Sequence, residues 1–200
     1  LAGYREYRTL DYAMPLDAAA RQGLDAIPGA QGWAPRLEAF GLISADTEQA
    51  SGRAVQLFGI DAAREATLTK LVGAVDAGRV AARSDGGERE IALGELLARN
   101  LGVAIGDRVI VVSADSFGSQ SADRFTVVGT FRIGDDEFDG YGALVDLQVL
   151  QAFLEAEGSV SHVAVFLPES AAMASVLKSE DLAEGLTAFI EKRDPIWKGR

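Results

Sequence analysis

The spacing of apolar positions changes several times along the chain, and each change marks the edge of an expected element. Leu16, Ala20, Leu24 and Ile27 recur at helical spacing. With Met14-Pro15 ahead of them, they predict a helix that opens with Pro in its first turn and stops at Pro28-Gly29. From Trp33 to Ala45 that period is absent, and Ala54-Val55-Gln56-Leu57-Phe58-Gly59-Ile60 reads as a strand with both faces partly covered. Asp46-Thr47-Glu48-Gln49 and Ser51-Gly52 supply a turn between them, so an antiparallel pair is expected. Asp61 is a good N-cap for a following helix, Glu65 suits its first turn, and Leu68, Leu71, Val72 and Val75 continue the apolar stripe.

The charged, Gly-rich stretch around Ser84-Asp85-Gly86-Gly87 is the clearest internal boundary. Beyond it, Glu90 to Leu93 predicts a short strand and Gly94 to Leu101 a two-turn helix, with Gly102 suited to a left-handed C-terminal cap. Two β-branched and aromatic runs follow, Arg108 to Val112 and Arg124 to Phe131, joined by the polar loop Ala114 to Asp123. Gly142 to Val145 reads as a strand, Asp146 as the cap of a helix running through Leu150 and Phe153, and Ser161 to Leu167 as another strand. Helical stretches are expected at Ala171 to Leu177 and Leu182 to Ile190. The expected fold class is mixed, α+β. Residues 1–87 and 141–200 form a discontinuous outer α/β lobe, and residues 88–140 form an inserted β-rich lobe.

Composition narrows the function. A chain of 200 residues with 48% hydrophobic content can bury a substantial core. Thirty acidic against nineteen basic residues give a net charge of -11, which argues against nucleic acid or anionic headgroups as partners. The absence of cysteine removes disulfides, thiolate metal sites and thiol nucleophiles. No run of about 18 apolar residues is present, so no bilayer-spanning helix is expected. The chain opens without Met at Leu1-Ala2-Gly3-Tyr4 and reads as a piece of a longer protein.

Catalytic chemistry finds little support. The single histidine, His162, alternates with apolar neighbours in an expected strand, and no Gly-x-Ser-x-Gly elbow accompanies it. Neither phosphate-binding glycine motif occurs, so no nucleotide cofactor is expected, and ATP would be handled elsewhere. Asp135, Glu137, Asp139, Gly140 and Asp146 fall at the ligand and glycine positions of a calcium loop. The pattern departs from that loop, with Glu where a short carboxylate or amide is usual and Asp146 where a longer bidentate Glu is usual. The alternative is an acidic loop whose last carboxylate caps the next helix. The expectation is therefore a domain with no catalytic residue, no cofactor and no resident metal.

The ordered stretch Ile91-Ala92-Leu93-Gly94-Glu95-Leu96-Leu97-Ala98-Arg99-Asn100-Leu101-Gly102-Val103-Ala104-Ile105-Gly106-Asp107-Arg108-Val109, followed by Phe125-Thr126-Val127-Val128-Gly129-Thr130-Phe131, carries a resemblance. Ile27-Pro28-Gly29 leading to Ala34-Pro35-Arg36, Val55 to Ile60 leading to Asp61, Glu137-Phe138-Asp139 and Leu144 to Leu150 agree with it in order. Over about residues 24 to 167 the chain resembles the periplasmic core domain of ABC-transporter permeases of the LolC/LolE and MacB type, the FtsX-like permease family. The resemblance implies a non-catalytic loop domain between two membrane helices, on the extracytoplasmic side of the inner membrane. It implies a cytoplasmic ATPase subunit, a second permease subunit, and a periplasmic protein or lipid-linked substrate as partners, with lipoprotein release among the functions. Phe117, Phe138 and Tyr141 are the candidate contact residues for such a partner. The alternatives are a stand-alone secreted α/β hydrolase or ligand-binding protein, and a calcium-binding adhesion or scaffold module resting on the Asp135 loop.

Overall fold

The computed structural model describes residues 10, 13–48, 51–82, 87–168 and 184. In chain order its elements begin with β1 (Met14–Pro15), α1 (Ala18–Asp25), β2 (Gly32–Ala45), β3 (Arg53–Ile60), α2 (Ala62–Leu68), a short 3-10 turn (Val72–Ala74) and β4 (Val75–Gly78). They continue with β5 (Arg89–Gly94), α3 (Glu95–Leu101), β6 (Arg108–Ala114), β7 (Gln120–Phe131), α4 (Asp136–Tyr141), β8 (Gly142–Asp146), α5 (Leu147–Phe153), β9 (Ser159–Val160) and β10 (His162–Phe166). The mixed α and β class expected from the sequence is what the fold shows, with a β-rich centre and short helices.

Six strands close on themselves in the order β2, β3, β8, β5, β7, β6 and back to β2. Closure removes the free edges an open sheet would expose. Alternate residues of all six strands point inward and pack together: Leu37, Ala39 and Ile43, then Val55 and Leu57, Ala143 and Val145, Ile91 and Leu93, Phe125 and Val127, Val109 and Val111. Two long strands do double duty. The first half of β2 also carries β10, and the last residues of β7 carry β4.

The directions of the strands place the loops at two ends of this ring. One end holds the β6–β7 turn and α5, whose Leu150 and Phe153 plug the interior; the other holds α3, whose Leu97 and Ala98 do the same, and α4. Outside the ring, Phe58, Ile60, Ala92, Phe131 and Leu144 are covered by Leu71, Val75, Val80 and Phe138. Leu16 and Leu24 cover Trp33 and Val160. The outward residues Phe40 and Leu42 of β2 stay at least half exposed.

Three local expectations need correction. The first helix starts at Ala18, because Asp17 accepts from the Ala20 N–H at 2.8 Å, while Met14 and Pro15 pair with Val160 and Ser159 as a strand. The second helix ends at Leu68: Thr69 is extended and its hydroxyl bonds Glu65, so Val75 belongs to β4 and not to the helical stripe. Half of the polar stretch 114–123 is strand. Ser113 faces Ser121 and Val111 faces Asp123, which leaves only 115–119 as the turn; the polar groups are satisfied within the strands, Ser113 donating its hydroxyl to the Phe40 carbonyl at 2.7 Å and Asp123 pairing with Arg89 at 2.7 Å.

Expected elements that hold include the antiparallel pair of β2 with β3, Asp61 and Asp146 as N-caps, and Gly102 at φ 69° and ψ 31° closing α3. The helices expected at 171–177 and 182–190, and Ser84 to Gly86 of the internal boundary, lie outside the described residues.

Candidate functional site

At the α5 end of the ring the chain makes a short, well-braced tip. Asp115 is buried, and its Oδ1 accepts from the N–H groups of Phe117 and Ser119, both at 2.9 Å. Gly118 takes φ 79°, a left-handed conformation that a side chain would oppose. Ser116 ties the tip to the end of α5: its N–H donates to the Leu154 carbonyl at 2.8 Å and its hydroxyl to that of Glu155 at 2.6 Å. The outcome is a fixed turn that presents Phe117 with 78% of its surface in solvent.

Phe138 and Tyr141 stand at the opposite end. Phe138 packs between Phe58 and Phe131, ring centroids 4.7 and 5.5 Å away, and so belongs to the outer core. Tyr141 is 52% exposed. The three candidate contact residues therefore flank β7 from its two ends and do not form one patch.

The acidic stretch 135–146 is folded into helix caps. Asp135 accepts from the N–H groups of Glu137 and Phe138, and Asp146 from those of Gln148 and Val149. Asp139 is buried, and its two oxygens accept from Ile133 at 2.8 Å and Gly134 at 3.1 Å. Glu137 and Gly140 lie within α4. Among the described residues no group of three carboxylate or histidine side chains is arranged to hold a metal. Asp139→Ala should lower the unfolding free energy by about 1 kcal/mol, because the N–H groups of Ile133 and Gly134 lose the carboxylate that fixes their turn. Urea unfolding measures this, and added calcium should leave both proteins unchanged.

His162, on β10, has its Nδ1 3.6 Å from Glu38 Oε1, and Glu38 in turn accepts from the Gln56 amide at 3.2 Å. The neighbouring Ser161 is buried and uses its hydroxyl on the Glu38 backbone, accepting from the N–H at 2.8 Å. That places the hydroxyl in a structural bond within the sheet, not in a relay with the imidazole.

Sequence reasoning missed two charge clusters. Glu65, fully buried on α2, binds the Arg36 guanidinium through both oxygens at 2.7 and 3.1 Å and also accepts from Thr69 at 2.7 Å. Next to it, Arg64 lies 3.9 Å above the Trp33 ring. Arg79 grips both oxygens of Glu90 at 2.5 Å, which holds the Glu90 carboxyl below its ordinary range. A depressed carboxyl contributes stability above its unfolded pKa, and the contribution fades as the pH falls through the folded value. The only local hint was opposite charge, with Arg36 and Glu65 far apart in sequence.

Compared with known proteins, residues 3–179 match the family model described as the MacB-like periplasmic core domain. The chain belongs to that family. Solved structures share the fold of this domain. The extracellular domain of the ABC-type transporter YknZ from Gram-positive bacteria aligns with a TM-score of 0.56 at 16% identity, covering 94% of this chain and 91% of that one. The periplasmic region of MacB from Actinobacillus actinomycetemcomitans aligns with a TM-score of 0.53 at 12% identity, over 96% and 81% of the two chains. At such identities the likeness is one of fold.

In sequence, the domain is 29% identical over 136 residues to the lipoprotein-releasing system transmembrane protein LolC of Xylella fastidiosa, covering 66% of this chain and 32% of that protein. The MacB-like domain thus spans about a third of the length of this relative. A separate match, 73% identical but only 26 residues long, is to carnitinyl-CoA dehydratase of Escherichia coli; it covers 13% of this chain and 10% of that enzyme, too little to define a domain. Among the described residues no helix is long and apolar enough to cross a membrane.

Proposed function

We propose that this MacB-like domain is the extracytoplasmic part of an ABC-transporter permease in the inner membrane, and that it passes motion to a periplasmic protein or lipid-linked substrate. The force comes from a cytoplasmic ATPase subunit, the assembly includes a second permease subunit of the same or related kind, and lipoprotein release is one function it would serve. The observation that carries this reading is the family match over residues 3–179. Family membership also favours it over a stand-alone secreted hydrolase, ligand-binding protein or calcium-dependent scaffold.

Two features of the fold support it. The first and last described segments of the main body lie together beside the start of β2: Met14 pairs with Val160, and the Gln31 N–H donates to the Phe166 carbonyl at 2.7 Å. A domain tethered at both ends to one membrane has this arrangement. In addition, a ring of six hydrogen-bonded strands deforms less than an open sheet, so displacement at one end is carried to the other. Residues 88–140, proposed as an inserted lobe, supply β5, β6 and β7 to that ring, while 1–87 and 141–200 supply β2, β3 and β8. On this reading the inserted segment moves with the rest.

Phe117, on its braced turn, is the proposed contact. In the full permease reconstituted with its ATPase, Phe117→Asp should reduce substrate or partner release about ten-fold while the basal ATP turnover is kept. Because the side chain is mostly in solvent, the melting temperature should not move. Release at the normal rate would place the contact elsewhere.

A further inference from the structure

On the ring's outer face, beside α4, lies a pocket of about 270 Å³ lined by Phe40, Gln56, Asp135, Glu137, Phe138, Tyr141 and Gly142. Its walls come from separate parts of the chain. Phe40 and Gln56 face each other across β2 and β3, Asp135 and Glu137 open α4, and Phe138 and Tyr141 stand one helical turn apart on the same helix. Phe138 is fixed by its contacts with Phe58 and Phe131, whereas Phe40 and Tyr141 are about half exposed and leave part of each ring open to a ligand.

The lining combines aromatic rings with carboxylates and contains no basic side chain. Asp135 engages the α4 backbone through Oδ1 alone, so its other oxygen is directed to no backbone N–H of that turn. Asp136 adds a third acidic side chain on the same turn, and Arg132, the nearest base in sequence, pairs with Glu95. The electron-rich faces of aromatic rings attract cations, and a weakly hydrated organic cation gains most from such a site because its alkyl surface is buried at the same time. The chain's net charge of -11 adds a favourable long-range field. An anion would meet two carboxylates, and a neutral apolar ligand would gain nothing from them.

We propose that this pocket binds an organic cation, an alkylammonium or guanidinium group carried by a small molecule or by a basic side chain of a peptide. The site is independent of how the parent permease works. Nuclear magnetic resonance of the 200-residue chain tests it by following the ring signals of Phe40, Phe138 and Tyr141 during titration with choline, with N-acetyl-lysine amide, and with 3,3-dimethylbutanol as the neutral isostere of choline. At least one cation should saturate the shifts with a dissociation constant on the order of millimolar, and the alcohol should bind at least about five-fold more weakly. The tighter of the two cations names the source, free small molecule or peptide side chain. Tyr141→Ala and Glu137→Gln each alter an exposed residue, should keep the melting temperature, and should weaken the cation at least about five-fold. Equal binding of the alcohol, no saturable shift up to about 50 mM of either cation, or cation affinity unchanged in both variants would overturn the proposal.

Discussion

Glu65→Ala is expected to lower the unfolding free energy by about 3 kcal/mol. Glu65 has no solvent contact, and its carboxylate holds three donors: two nitrogens of Arg36 and the hydroxyl of Thr69. Removing it leaves a guanidinium that is only 24% exposed facing the space the carboxylate had filled. The same change frees Thr69, whose hydroxyl also accepts from the Leu71 N–H at 3.1 Å and so shapes the exit from α2. Replacing both partners, Arg36→Met with Glu65→Met, should recover much of the loss, because the cost arises from an unpaired buried charge and less from the missing attraction. Urea unfolding gives both values. A loss below about 1 kcal/mol for the single variant would show that the pair is solvated and contributes little.

Phe125→Ala should cost about 4 kcal/mol. Phe125 lies inside the ring at 1% exposure, opposite Arg89 on β5 and Val109 on β6, and meets Phe153 edge-on with ring centroids 5.4 Å apart. Its loss opens a cavity at the point where α5 plugs the barrel, and closed barrels relax poorly around such a hole. Phe125→Leu fills most of that volume and should cost less than half as much. Equal losses for the two variants would mean that the edge-on aromatic contact, not cavity volume, sets the cost.

The parts of the fold that were legible in the sequence are those fixed by near neighbours. Gly102 ends α3 because a left-handed residue is needed there, Asp61 and Asp146 cap helices through their own side chains, and Val109 to Val112 and Phe125 to Phe131 carry enough β-branched and aromatic residues to declare strands. Closure of the ring was not legible. It depends on Gly41 to Ala45 pairing with Val109 to Ser113, a long-range match to which no local pattern points. β4 was hidden for a related reason: Val75-Asp76-Ala77-Gly78 has little strand character of its own and is held by β7.

The candidate site divides in the same way. Phe117 stands out in the sequence as the one large apolar residue of the 114–123 stretch, while the bracing by Asp115 and Ser116 is visible only in the structure. The sequence groups it with Phe138 and Tyr141; that β7 separates them is revealed only by the topology. The aromatic pocket was invisible for the complementary reason, since Phe40 and Tyr141 are distant in sequence and come together across the ring's outer face.

The extracytoplasmic placement of the domain can be measured directly, because the chain has no cysteine and an introduced one is unique within it. With Ser119→Cys, at the exposed turn between β6 and β7, in an otherwise cysteine-free parent permease, intact cells would be treated with a membrane-impermeant maleimide after opening the outer membrane alone. Complete labelling before the inner membrane is breached is the predicted result. Labelling that appears only after lysis would put the domain on the cytoplasmic side and contradict the account.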